Sequence, residues 1–220
     1  FSMNESKQMT TGDGGFVTPN DDEVARIAAL SRDKTYLRDG SVGRGGQPIP
    51  FFALNYRANG LHAAVGLAQL GKLKALVQRR DDIPRRYYAE LADLEHFPLP
   101  QLTDGAEPSW WPVAGRYTGD DDRRDELVKA MAAEGLTIST GMSPANNILR
   151  TELVRTKRYY PQTAQVPAFW RDTEYDPDSC PNVDELQRTV IRLPVDQRYT
   201  DEDIEQTIAG VRKVWAHLVD

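Results

Sequence analysis

The 220 residues predict an α/β chain in two parts. Three patterns carry that prediction. A polar, glycine-rich loop lies between two short strand-like runs in residues 1–18. Apolar residues recur at helical spacing from Leu61 to Leu94 and again from Ile204 to Leu218. Two apolar runs punctuated by proline, Pro108–Ala114 and Ile191–Val195, read as strands. Mixed strand and loop precede residues 50–60, and an α+β unit with two or three long helices follows.

Taken in order, Phe1–Met3 reads as the end of a strand, residues 4–13 as loop, and Gly14–Thr18 as a returning strand whose glycines permit a tight turn. Phe1 therefore lies inside a strand, and the chain is expected to be a fragment or processed piece of a longer protein. Asn20, Asp21 and Asp22 open a helix with Val24, Ile27, Ala28 and Leu30 on one side. The run G-S-V-G-R-G-G at 40–46 invites a phosphate-loop reading, but no Walker pattern accompanies it and no clear strand precedes it. A surface or substrate-gating loop is the expectation there. Asn59 is the N-cap of an alanine-rich helix. Gly71 either separates two helices or sits inside one, and Pro84 either kinks the second helix or begins a third.

Adjacent strand residues point to opposite faces, so one of Trp110 and Trp111 is expected inside and the other outside. Asp120–Asp122 cap a helix that carries Leu127, Val128 and Met131 inward and stops at Gly135. Leu136–Ser139 reads as a short strand. Residues 141–180 are polar and rich in Pro, Tyr and Trp, too long for a structureless loop, so functional or partly helical. Pro181 suits the first turn of a helix. Thr200 and Asp203 form a near capping box, with acids on the helix N-terminal dipole.

The net charge of −6 and the absence of clustered excess Lys and Arg argue against a nucleic-acid partner. No apolar run reaches membrane-spanning length. A single cysteine, Cys180, rules out an intrachain disulfide and a thiolate cluster, and suits a reducing, cytoplasmic setting. Cys180 is expected as buried packing, since no His lies near it in sequence. His96 and His217 have no partner at metal-ligand spacing, and His62 sits on the alanine-rich helix, so no metal site is expected. The pairs Arg79–Arg80 and Arg85–Arg86 read as a solvated face, although a nucleotide diphosphate could use one of them. Lys7 has two readings. Most lysines are solvated; a lysine held in a pocket can instead do covalent catalysis through its amine.

Three blocks decide between those readings. The first is F-S-M-N-E-S-K-Q-M-T-T-G-D-G-G over residues 1–15. The second is Leu54-Asn55-Tyr56-Arg57 followed by Leu61, Ala64, Gly66, Leu67, Gln69 and Leu70. The third is Cys180-Pro181-Asn-Val-Asp-Glu-Leu with Leu193-Pro194 and Thr200-Asp-Glu-Asp-Ile. In this order they resemble the DegT/DnrJ/StrS family, the sugar and cyclitol aminotransferases of pyridoxal phosphate (PLP) fold type I. Asp13, Ala58 and the pair Trp110–Trp111 depart from the family pattern, which has Glu, Met and a His-containing strand at those places.

The resemblance implies that residues 1–55 end the PLP-binding large domain, whose N-terminal half is absent, and that 56–220 form the small α+β C-terminal domain. It implies PLP as cofactor and Lys7 as the Schiff-base lysine. Ser2 would bind the PLP phosphate, and Asn55 would reach the phosphate of the neighbouring subunit's cofactor, so a homodimer with shared sites is expected. Arg57 would shape the same site and its substrate. The implied activity moves an amino group from glutamate or glutamine to a keto-sugar, nucleotide-linked, or a keto-cyclitol. The other reading is a non-catalytic dimerisation or regulatory protein of the same fold.

Overall fold

Backbone pairing begins at the first residue. The Phe1 nitrogen donates to Phe16 O at 2.6 Å and the Phe16 N–H returns a bond to Phe1 O at 2.9 Å. Their rings stack at 4.8 Å. Ser2 bridges Gly15 in antiparallel sense, and Met3 N donates to Gly14 O at 2.9 Å. The strand ends expected around the Lys7 loop are therefore paired. The computed structural model describes residues 1–37, 50–119, 123–141, 147–157 and 166–219. The glycine run at 40–46 and Asp120–Asp122 lie outside the described residues. The chain divides into two compact units, Phe1–Gln78 and Arg79–Asp220.

Among its described residues the first unit carries two whole helices. Helix α1, Asp22–Ser31, is capped by Asp21, whose carboxylate accepts from Val24 N at 2.9 Å. Helix α2, Gly60–Leu70, is capped by Asn59, which accepts from His62 N at 3.0 Å. Gly71 caps its C-terminus and separates it from α3, Leu73–Leu91. Helix α3 continues through Pro84, which removes one ladder bond without ending the helix. The division between the units falls inside α3.

The second unit is built on a three-stranded antiparallel sheet. Its strands are β1, Pro112–Arg116, β2, Ser139–Thr140, and β3, Val190–Pro194, in the order β1-β3-β2. Val113 pairs with Leu193 and Gly115 with Ile191, so the buried positions of β1 and β3 share a face. Strand β1 starts after the two tryptophans. Trp110 packs on Tyr88 at 5.9 Å, while Trp111 is half exposed with the Arg192 guanidinium 6.0 Å from its ring centre. Strand β2 is shorter and later than the sequence suggests.

Helix α4, Arg124–Ala133, ends in a Schellman motif: Leu136 N donates to Met131 O and Gly135 N to Ala132 O, both at 3.0 Å. Gly135 takes the left-handed conformation this requires, φ +85°. Residues 141–180 are partly helical where described, with α5, Glu152–Thr156, α6, Ala168–Arg171, and two 3₁₀ turns. Helix α7, Pro181–Thr189, starts at its proline. Helix α8, Asp201–Leu218, carries a full capping box between Thr200 and Asp203.

Helix α8 supplies the centre of the core, burying Ile204, Ile208, Val211, Val214 and Trp215. Trp215 is inaccessible to solvent, lies 4.8 Å from Phe97 and 5.9 Å from Tyr117, and donates its indole N–H to Glu95 O at 2.7 Å. Burying a tryptophan-sized surface contributes on the order of 4–6 kcal/mol before the entropy of ordering is subtracted. Tyr87 is buried beside it in the core and donates to Pro194 O at 2.9 Å. That burial pushes its phenol well above the ordinary value.

Two expectations are corrected here. Arg80 does not line a solvated face: it is 8% exposed and donates to Trp110 O, Trp111 O and Gln197 Oε1 at 2.7–3.1 Å. Burial pulls its guanidinium below the ordinary arginine value, against the opposing pull of Asp196. It ties α3 to the start of β1. Cys180 is half-buried rather than buried, because it sits at the exposed entrance to α7. Among the described residues, no group of His, Cys, Asp and Glu could hold a metal ion, and no helix is long and apolar enough to cross a membrane.

Candidate functional site

The Lys7 loop is braced from within. Its ends are joined by the Phe1–Phe16 and Ser2–Gly15 pairing. Inside it, Lys7 N donates to Asn4 O at 3.0 Å, and Asn4 N donates to Ser2 Oγ at 3.3 Å. Thr11 N donates to Met3 O at 3.0 Å, and the Thr11 hydroxyl donates to Asp13 O at 2.5 Å. Gly12 N donates to Thr10 Oγ1 at 2.9 Å and Gly14 N to Asp13 Oδ1 at 2.8 Å. Short polar side chains thus satisfy a backbone that has no regular ladder. Lys7 is half-buried and Ser2 exposed.

Helix α2 closes on this loop. Gly66 is the buried residue of α2, and a Cβ at that position would lie 3.3 Å from Thr11 Cγ2 and 3.9 Å from Met9 Cε. Glycine at this position lets the helix backbone approach the loop that carries Lys7.

Asn55 and Arg57 form the second group. Asp33 bridges Asn55 in antiparallel sense, flanked by Lys34 N to Leu54 O at 3.0 Å and Tyr56 N to Arg32 O at 2.8 Å. Arg57 Nη1 donates to both carboxylate oxygens of Asp33, at 3.2 and 3.3 Å. The Asp33 side chain is 1% exposed and that of Arg57 47%. Arg57 N also makes a long contact, 3.5 Å, to Asn55 Oδ1. Of the four residues singled out by sequence, Ser2 joins Lys7 through Asn4, and Asn55 joins Arg57 through Asp33. Asp33 itself went unnoticed, because a buried acid has no local signature and its partner lies 24 positions away.

The family model of the DegT/DnrJ/EryC1/StrS aminotransferase family matches residues 1–146 and 143–212. The chain belongs to that family. Both groups of the candidate site lie inside the first matched stretch. An uncharacterised protein of Methanocaldococcus jannaschii is 24% identical over 97% of this chain and 53% of its own length. GDP-perosamine synthase of Caulobacter vibrioides is 31% identical over 62% of this chain and 36% of its own length. Among solved structures, S. venezuelae DesV in complex with a ketimine intermediate superposes with a TM-score of 0.76 over all of this chain and 52% of its own, at 24% identity. That likeness establishes the fold, part of PLP fold type I. The chain spans about half the length of the curated relatives it matches.

The residues present suit the family's cofactor. A primary amine can hold an aldehyde covalently, and neutral hydroxyl and amide donors suit a phosphate. Lys7, Ser2 and Asn55 supply those three groups.

Proposed function

We propose that the protein containing this chain is a PLP-dependent aminotransferase that moves an amino group from glutamate or glutamine to a nucleotide-linked keto-sugar or a keto-cyclitol. The observation that carries this reading is the braced Lys7 loop, tied to Ser2 through Asn4 and seated under Gly66 of α2. The name GDP-perosamine synthase, borne by a relative, supports the nucleotide-sugar part.

Bound PLP supplies an electrophilic aldehyde and a ring that accepts negative charge from the substrate α-carbon. Lys7 Nζ would hold the cofactor covalently and would serve as the base that takes up and gives back the substrate α-proton. Ser2 Oγ would donate to the phosphate. Asn55 would donate its amide to the phosphate held in a neighbouring copy, and a homodimer would then be the active form. Arg57, with one edge on Asp33, shapes the acceptor side. Residues 1–55 end the large domain and 56–220 form the small one. The aromatic ring that stacks on PLP and the Asp that pairs with its pyridine nitrogen belong to the half of the family's length this chain does not span.

Full-length protein mixed with PLP is expected to show a visible absorbance band above that of free PLP, lost in Lys7→Ala. A band that survives Lys7→Ala removes Lys7 from this role. Wild-type protein with no band at all favours a non-catalytic member of the fold.

A further inference from the structure

We infer that Asp33 is the positioning residue of the Asn55–Arg57 edge, setting through one buried carboxylate how that edge meets the cofactor phosphate. The inference rests on the PLP reading above for its functional half. Three observations carry it. Asp33 holds the edge twice, by backbone bridging to Asn55 and by its side chain on Arg57 Nη1 at 3.2 and 3.3 Å. Its side chain is 1% exposed, whereas Arg57 is half exposed and Asn55 is exposed. A buried carboxylate is tolerated only when paired and hydrogen-bonded, so Arg57 is held where Asp33 puts it. The third observation is strain. Lys34 and Thr35, directly after Asp33, both adopt left-handed backbone, φ 56° and 61°. A β-branched residue rarely takes that conformation, and Thr35 is fully buried in it. Strain of this kind persists only where the surroundings hold it. Here the turn lets Lys34 N reach Leu54 O at 3.0 Å and Thr35 N reach Leu30 O at 2.9 Å, which fixes Asp33 opposite Asn55. Asn55 and Arg57 are thus positioned from the far side of the chain by a residue that need not touch the cofactor.

The test uses full-length protein carrying Asp33→Asn, Arg57→Gln and both changes together. The double variant removes the buried charge with its partner and keeps the comparison usable if Asp33→Asn alone fails to fold. Two quantities are read: amide hydrogen exchange at Tyr56, whose N–H bonds Arg32 O, and PLP affinity by titration of the absorbance band. Faster exchange at Tyr56 with roughly tenfold weaker PLP binding, no further weakened in the double variant, is the expected result. Unchanged exchange at Tyr56 overturns the inference, with or without PLP. Faster exchange with unchanged PLP affinity also overturns it, since Asp33 would then be structural only. Additive losses in the double variant overturn the coupling of Asp33 to Arg57. A band that survives Lys7→Ala overturns the lysine assignment alone, and Asp33 is then judged by the PLP affinity of its own variants.

Discussion

The two units invert the usual relation between core and chemistry. Arg79–Asp220 closes a core on itself, with Ile83, Leu127, Ile191 and Trp215 inaccessible to solvent. Among its described residues Phe1–Gln78 buries one large apolar side chain, Leu30, and leaves Leu61 and Leu67 of α2 at 78% and 72% exposure. Yet every residue proposed to meet the cofactor lies in Phe1–Gln78, the unit with little core. Among its described residues the geometry is held by hydrogen bonds and by the half-buried Asp33–Arg57 ion pair more than by packing. Substitutions should therefore act differently on the two units: apolar truncation should be costly in one, and backbone crowding in the other.

The largest effect is expected from Trp215→Ala, which leaves a cavity in a sealed core and should cost about 3–5 kcal/mol in urea unfolding. Leu67→Ala, on the exposed face of α2, should stay within about 0.5 kcal/mol. Similar losses at both sites would break the comparison. Next comes Gly66→Val, which forces side-chain atoms against Thr11 Cγ2, already 3.3 Å from an added Cβ. It should cost about 1–3 kcal/mol by overpacking. Exchange at the Thr11 amide should quicken while the unfolding of α8 keeps its midpoint; a shift of that midpoint instead would place the damage in the wrong unit. The smallest loss above the Leu67→Ala control sharpens the picture of the closed unit. Thr200→Ala removes an N-cap and should cost about 1 kcal/mol.

The same Thr200 hydroxyl holds the Asp203 carboxyl below the ordinary aspartate value. A depressed folded value stabilises above the unfolded one, about 4, and that stability is lost as pH falls through the lower folded value. Acid titration of α8 helicity should lose the hydroxyl's share of this component in Thr200→Ala, while the backbone N–H of residue 200 keeps its bond to Asp203.

What could be read from the chain in advance was what neighbours decide. The capping box at Thr200, the N-caps at Asp21 and Asn59 and the stop at Gly135 all rest on contacts within a few residues. The Ile204–Leu218 periodicity needs only one apolar environment to face, and it found one. The misread positions depend on distant partners. Arg80 looked like one of four solvated arginines because its acceptors, Trp110 O, Trp111 O and Gln197 Oε1, lie 30, 31 and 117 positions away. Strand β2 shrank because β3 offers it only Arg192 and Ile191 as partners. At the candidate site, Lys7, Ser2, Asn55 and Arg57 were legible through the resemblance to known motifs. Asp33 was not, since its importance lies in burial and in an ion pair that no spacing rule contains.

All four tryptophans, at positions 110, 111, 170 and 215, fall in Arg79–Asp220. Excitation confined to indole therefore lights one unit and leaves the other dark. A chromophore arriving on Lys7 would enter the dark unit as an acceptor of that light. Quenching of the emission would report that arrival through the indoles as a group, with no dye attached.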